Sequence, residues 1–348
     1  MALRDKVLNV LEEKKGEPVS GESLAELLGV SRTAVWKAVT SLKKEGYPID
    51  AKTNKGYSLS SESDKLSEVA IRACLSKLSP YEKYLKEESD NNLLNSIDCI
   101  GNIIILDTVD STNNEAKRLV ASAASLEDIP FGTVIIAENQ SAGKGRRGRS
   151  FYSPVANSVY MSFILKPTAT IENSLLITIA AGVAVCRAIE ATCDDTQRPE
   201  IKWVNDIFVN KKKICGILTE AISDIESGEI ESLVLGIGVN INIPEEDFPK
   251  ELRDIAGSVK IAPGKRNQFA ATLSSEVFSI YYAMAEGKEI IPEYRARSMM
   301  EGREIIVVKG KNEEKATALS VSDNGGLSVE YPDGRREILR SGEVSIKI

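Results

Sequence analysis

The chain has 348 residues, 42% hydrophobic and 27% charged, with a formal net charge of −7. That length exceeds one ordinary domain, and the acidic balance excludes a nonspecific polyanion binder, so any nucleic-acid contact has to come from a local basic patch. There are no histidines, which removes Ser-His-Asp and Cys-His nucleophiles, histidine metal centres and imidazole acid–base chemistry in one step. Carboxylates, lysines, arginines, backbone dipoles and magnesium are left to carry any reaction. Five cysteines (Cys74, Cys99, Cys186, Cys193, Cys215) are odd in number and widely spaced, without a CxxC pair. They read as small buried hydrophobes rather than a disulfide framework or a zinc site. No apolar run is expected to reach the roughly eighteen residues that span a bilayer. The N-terminus, MALRDKVLNVLEEKKGE, lacks the apolar core of a signal peptide. The expected compartment is the cytoplasm, with no membrane partner.

Residues 1–62 read as a winged helix-turn-helix. Leu3, Val7, Leu8, Val10 and Leu11 recur at helical spacing, Pro18 and Gly21 break the chain, and Ser23 is the expected N-cap of a second helix ending at Gly29. Ser31 caps the next helix, and the two short helices form the helix-turn-helix pattern. Ile49, a turn at Asn54-Lys55-Gly56, then Tyr57 and Leu59 predict a small hairpin, the wing. Residues 31–55 hold six cations (Arg32, Lys37, Lys43, Lys44, Lys52, Lys55) against Glu45 and Asp50, a local excess suited to phosphate contacts. Ser31, Arg32 and Thr33 sit where a recognition helix meets base edges; with Lys37 and Lys55 they are the candidate DNA-binding residues. A helical domain serving only as a protein interface is the alternative.

Residues 63–98 are polar and read as a linker with one or two helices. From 99 to 298 strands (IGNIIILDTV, GTVIIAENQ, SVYMSFILKP, IKWVNDIFVN, KKICGILTEA, ESLVLGIGVNINI) alternate with helices at STNNEAKRLVASA, SLLITIAAGVAVCRAIEAT and NQFAATLSSEVFSIYYAMAEG. The expected architecture there is a mixed-sheet α+β domain. Residues 299–348 alternate short β runs with Asn-Gly-Gly and Asp-Gly turns and read as a small β-barrel.

One segment stands out chemically: Glu138-Asn-Gln140-Ser-Ala-Gly143-Lys144-Gly145-Arg146-Arg147-Gly148-Arg149-Ser150, after the strand TVIIA. Its glycines allow close backbone approach to an anion, and its interleaved cations supply charge and donors for phosphate or carboxylate. It is neither a P-loop nor a GxGxxG opening a helix. A flexible basic surface loop is the competing reading.

Gly143-Lys144-Gly145-Arg146-Arg147-Gly148 resembles the GRGRxG biotin loop of biotin–protein ligases, with Lys144 where arginine is usual. Four further motifs of that family appear in order: Asp110-Ser111-Thr112-Asn113; Lys202-Trp203-Val204-Asn205-Asp206, with Val204 replacing proline; Lys213-Ile-Cys215-Gly216-Ile-Leu-Thr-Glu220; and Gly236-Ile-Gly238-Val-Asn240-Ile-Asn242. The resemblance covers nearly the whole chain. It implies a ligase domain flanked by a winged helix and an SH3-like β-barrel, which activates biotin with ATP and Mg2+ and passes it to a lysine of a biotin carboxyl carrier protein domain. It implies Lys202 and Arg146 as catalytic residues. Biotin would be held by Ser111, Thr112, Asn113, Gln140, Gly143, Lys144, Gly145, Arg146, Lys202 and Gly216. The adenylate would be held by Arg146, Arg147, Asn205, Lys213 and Asn240. Asn205 and Asp206 also suit magnesium–pyrophosphate, or simply a turn. Trp203 is core or adenine-facing. Phe248, Leu252 and Ile255 resemble an adenylate-covering segment by position, or a surface loop with apolar anchors. The winged helix implies a homodimeric repressor on operator DNA, with biotinyl-5′-AMP as intermediate and corepressor. A biotin-sensing repressor without catalysis and a lipoate-type ligase are the two rival readings.

Overall fold

The computed structural model describes residues 2–52, 55–78, 100–153, 158–167, 174–223, 228–309, 312–340 and 343–346. Asn54 of the expected wing turn, Cys99, Pro154 and the linker stretch 79–98 lie outside them.

The N-terminal module packs helices α1 (Leu3–Glu13), α2 (Gly21–Leu28) and α3 (Arg32–Lys44) against a hairpin of β1 (Ile49–Lys52) and β2 (Gly56–Leu59). Val7, Leu8, Leu11, Leu24, Val35, Val39, Leu42 and Leu59 close one core of their own. Ser31 caps α3, its hydroxyl accepting the Ala34 N–H at 3.1 Å, an interaction worth about 1 kcal/mol. The cap of α2 is Ser20 rather than the expected Ser23: Ser20 Oγ accepts the Ser23 N–H at 2.9 Å. The bridge between Val19 and Tyr57 holds the chain extended up to Ser20, so the helix starts one turn earlier than its apolar pattern suggests.

After α4 (Glu68–Leu75) comes a seven-stranded sheet. Its strands are β3 (Ile103–Val109), β4 (Val134–Gln140), β5 (Val159–Leu165), β6 (Glu200–Lys202), β7 (Asp206–Val209), β8 (Lys212–Ser223) and β9 (Ile230–Val239), in spatial order β3-β4-β5-β9-β8-β7-β6. Only β3 and β4 run parallel, joined through helix α5 (Thr112–Ala121); the rest are antiparallel neighbours. The expected single strand IKWVNDIFVN is two strands, folded back at Trp203-Val204-Asn205 so that Lys202 pairs with Asp206. Alternate residues face opposite layers: Ile135, Ile164 and Val234 pack under α5, while Val134, Ile136, Met161, Phe163 and Ile237 pack under α6 (Ser174–Thr192) and α7 (Arg266–Ala285). Both faces are covered, which is why these strands read as continuous apolar runs.

Helix α6 corrects one expectation. Within its 19 residues an 18-residue window has a mean hydropathy of 1.7, long and apolar enough to cross a bilayer by composition. Its apolarity is spent on the core, where residues 177–186 are buried without a break between the sheet and α7. A short helix that sequence pattern missed, α8 (Ile291–Arg297), leads to five antiparallel strands: β10 (Glu304–Lys309), β11 (Asn312–Val321), β12 (Leu327–Glu330), β13 (Arg336–Leu339) and β14 (Glu343–Ile346). Their order is β13-β12-β11-β10-β14. This sheet is tied to the seven-stranded domain where Trp203 Nε1 donates to the Gly325 carbonyl at 2.9 Å.

Candidate active site

The five motifs converge at one end of the sheet, around a cavity of about 210 Å³. The N-terminus of α5, the loop 141–153, the β6–β7 hairpin and the glycine-rich stretches of β8 and β9 contribute its walls. Ser111, Thr112, Asn113, Gln140, Lys144, Gly145, Arg146, Arg147, Lys202, Asn205, Asp206, Lys213 and Gly216 all line it. Of the candidate residues, Gly143 lies behind the wall and Asn240 in the adjoining cavity.

The polar end is built from α5. Ser111 occupies the N-cap position with an extended backbone but makes no side-chain cap hydrogen bond. Instead Gln140 caps the helix from across the sheet: its Oε1 accepts the Thr112 N–H at 2.8 Å, and its Nε2 donates to Ser153 Oγ at 3.1 Å. Asn113, buried at 3% exposure, accepts from Ser162 Oγ at 2.6 Å and donates to Glu220 Oε2 at 2.8 Å. Lys117 Nζ meets the other Glu220 oxygen at 2.6 Å. Burial pushes the Glu220 carboxyl up, but the Lys117 ammonium and the Asn113 amide outweigh it, and the group sits below its ordinary value. Asn113 fits only because Gly236 has no side chain: a Cβ there would stand 2.1 Å from Asn113 Oδ1.

The basic loop is tied to itself. Lys144 bridges Ser150, the Gly145 N–H donates to the Arg149 carbonyl at 2.7 Å, and the Phe151 N–H donates to the Gly143 carbonyl at 2.8 Å. These bonds tie residues 143–151 into a turn of their own, with Lys144 and residues 147–150 exposed on its outer side. Arg146 Nη1 reaches Asn205 Oδ1 at 2.9 Å, and Asn205 Nδ2 donates to the Ile217 carbonyl at 3.1 Å. Arg146 and Lys202 therefore border one cavity, fifty-six positions apart in sequence.

Sequence pattern passed over Phe151. Gly216 of β8 and Gly238 of β9 are register partners, and a Cβ on either would lie within 3 Å of the Phe151 ring. The ring thus rests on a shelf of bare backbone. The signal was present: a glycine in each of two adjacent strands with a phenylalanine directly after the basic loop.

A second cavity of about 780 Å³ adjoins the first, sharing Ser150, Phe151, Lys202, Asp206 and Lys213. Phe248, Leu252 and Ile255 line it; Phe248 is buried against Tyr152, with ring centroids 5.9 Å apart, while Ile255 is exposed. Asn240 stands in its wall, its amide donating to the Gly257 carbonyl at 2.9 Å. Lys213 Nζ pairs with Asp206 at 2.7 Å. Among the described residues no group of three carboxylate or thiol ligands could hold a metal. Trp203 is a core residue, its indole N–H spent on Gly325, with part of its surface on the first cavity.

In the N-terminal module Arg32, Thr33 and Lys37 project from α3, and Lys55 from the wing, all exposed. Trp36 shares that face at 57% exposure. An exposed tryptophan amid cations is unusual, and the sequence pattern alone could not tell it from core.

Comparison with known proteins agrees with this geometry. Residues 4–58 match an HTH domain model and residues 106–240 the Biotin/lipoate A/B protein ligase family. The "Bifunctional ligase/repressor BirA" of Bacillus spizizenii is 37% identical over 76% of this chain and 73% of its own length. The chain belongs to the bifunctional ligase/repressor family. The biotin--[acetyl-CoA-carboxylase] ligase of Mycobacterium tuberculosis is 28% identical over 69% of this chain and 88% of its own. Among solved structures, a biotin protein ligase from Aquifex aeolicus in complex with biotin and ATP superposes with a TM-score of 0.58 at 27% identity, over 71% of this chain and 98% of that one. Members of the family thus join a DNA-binding motif to a ligase domain, as this chain does.

Proposed function

We propose that this protein forms biotinyl-5′-AMP from biotin and ATP, transfers the biotin to a lysine of a biotin carboxyl carrier protein domain, and represses biotin genes through its winged helix. The observation that carries the reading is the shared border of Lys202 and Arg146 on one cavity, in a chain without histidine.

The chemistry suits such a site. A biotin carboxylate is already an anion at neutral pH, so no base is needed for its attack on the α-phosphate. A carboxylate oxygen bonds to phosphorus and pyrophosphate leaves. The catalyst's task is to align two repelling anions and to neutralise developing charge. Lys202 bridges the carboxylate and the α-phosphate, and Arg146, held by Asn205, supplies the second cation. In the transfer step the acceptor amine attacks the acyl carbon, AMP leaves and the amine gives up a proton; Lys202 stabilises the oxyanion. The polar end around Ser111, Thr112, Asn113 and Gln140 suits the ureido ring, and Lys144, Gly145 and the Phe151 ring seated on Gly216 close over biotin. Arg147, Lys213 and Asn240 belong to the nucleotide side. Closure of the loop protects a mixed anhydride that water would hydrolyse. Mg2+ enters with ATP. The repressor acts in the cytoplasm as a homodimer, presenting two copies of α3 to a palindromic operator with biotinyl-5′-AMP as corepressor.

Incubation with biotin, MgATP and a biotin carboxyl carrier domain tests the enzyme reading. Covalent biotin on the carrier is expected. Its absence leaves only a biotin sensor, and labelling with lipoate in place of biotin would assign the other acyl acid.

A further inference from the structure

Arg266, the first residue of α7, is 4% exposed, and its guanidinium reaches three separate stretches of chain. Nη1 donates to Glu138 Oε2 at 2.5 Å and to the Asp64 carbonyl at 3.4 Å, while Nε donates to the Ser158 carbonyl at 3.0 Å. Nη2 also donates to Ser158, and the Arg266 N–H donates to the Asp64 carboxylate at 3.0 Å. Glu138 closes the circuit, accepting the Leu66 N–H at 3.1 Å. Next to it, Asn267 accepts the Ser67 N–H at 3.1 Å and donates to the Lys65 carbonyl at 2.9 Å.

Two of the three stretches are the feet of the basic loop. Glu138 lies two residues before Gln140, the last of β4, and Ser158 directly precedes β5. The third, Asp64–Ser67, is where the winged helix hands over to α4. The winged helix is itself bolted to this spot. Lys15 Nζ donates to the Ser63 carbonyl at 2.7 Å and to the Gly264 carbonyl at 3.4 Å, with the Glu12 carboxylate 3.5 Å away.

A guanidinium is a rigid fork of five donors, and burying it is tolerable only while its acceptors stay in place. A shift of residues 64–67 strips the Asp64 carbonyl from the fork, the Asp64 carboxylate from the Arg266 N–H and the Leu66 N–H from Glu138 unless the loop feet move with them. The two positions are therefore tied energetically, and the tie acts in both directions. We propose that Arg266, with Glu138, is a positioning residue that couples the pose of the winged helix to the geometry of the basic loop, so that filling of the cavity by biotin and nucleotide is transmitted to the DNA-binding module. This rests on the ligase/repressor reading for its ligands.

The test uses the full chain carrying Arg266→Gln, Arg266→Lys or Lys15→Met. Four quantities are read: thermal midpoint, kcat and biotin KM for carrier biotinylation, hydrogen exchange over 141–153, and the ratio of operator affinities with and without biotin and ATP. Arg266→Gln is expected to raise biotin KM, to speed exchange in the loop and to cut the affinity ratio, each by about three- to thirtyfold, with kcat held within about twofold. Lys in place of Arg266 recovers the thermal midpoint but not the ratio, because one ammonium cannot span three acceptor stretches. Lys15→Met, remote from the cavity, leaves KM and kcat unchanged and lowers the ratio. A destabilised Arg266→Gln with wild-type KM and wild-type loop exchange overturns the proposal, as does an unchanged ratio in Lys15→Met. Should Arg266→Gln not fold, Glu138→Gln is expected to move the same quantities in the same direction, and wild-type values there overturn it equally. If the unmodified protein binds no operator in either state, the repressor reading fails, while KM and exchange still decide the role of Arg266.

Discussion

Gly236→Ala tests the polar end of the cavity most sharply. The added Cβ would stand 2.1 Å from Asn113 Oδ1 and 2.8 Å from its Cγ, more than about an ångström inside ordinary contact distance. Asn113 cannot swing aside freely, because Ser162 and Glu220 hold its two ends at 2.6 and 2.8 Å. Either the strand shifts, at the usual overpacking cost of about 1–3 kcal/mol, or Asn113 leaves and forfeits a hydrogen bond to a charged group, about 1.5–3 kcal/mol. The gain from replacing glycine in the unfolded chain is at most about 1 kcal/mol and does not decide the sign. A net loss of about 2–3 kcal/mol lowers the thermal midpoint of a domain of this size by roughly 4–12 °C. Differential scanning calorimetry reads it, together with biotin KM, which should rise as the start of α5 moves. Adding Asn113→Ala removes the clash, so the double variant should melt no lower than Asn113→Ala alone, a favourable coupling of about 1–3 kcal/mol. Additive losses, or a Gly236→Ala protein melting with the wild type, would refute the packing argument.

Lys202→Ala should abolish transfer of biotin with the thermal midpoint unchanged, and retained turnover in a single-turnover adenylation assay would remove its proposed role. Lys117→Met should destabilise at neutral pH and cost nothing in acid. The Glu220 carboxyl lies below its ordinary value in the folded chain, so its stabilisation is present above the unfolded carboxylate range and fades as pH falls through the folded value; a pH-independent loss measured by calorimetry would contradict this. On the DNA face, Lys37→Ala should weaken operator binding and lower the salt slope by about one. Trp36→Ala should weaken it roughly tenfold with the slope unchanged, the signature of an apolar contact to a base; an altered salt slope in fluorescence anisotropy would assign Trp36 elsewhere. Burial pushes the Cys186 thiol up to about 12 and the Cys215 thiol well above its ordinary value, so neither should alkylate in the native state at pH 8. Mass-spectrometric detection of either adduct before unfolding would show that the core opens.

The winged helix, most strands and the three long helices were legible because local periodicity and caps specify them. Ser31 as a cap and the bare positions Gly216, Gly236 and Gly238 are features of neighbouring residues, and the ordered motifs placed the candidate site between Ser111 and Asn242. Pattern failed where a local signal has two tertiary uses. Trp36 and Trp203 look equally suited to burial, yet one faces solvent and the other donates to Gly325.

By itself the amino-acid sequence determined the class of chemistry: without a histidine, fixed cations and backbone have to manage two anions. It also determined the order of the modules. Only tertiary structure decided that Arg146 and Lys202 face one cavity, that Gln140 rather than Ser111 caps α5, and that Arg266 clasps three distant stretches. These are contacts between residues far apart in the chain, whose geometry is set by strand order and register. No local periodicity encodes it.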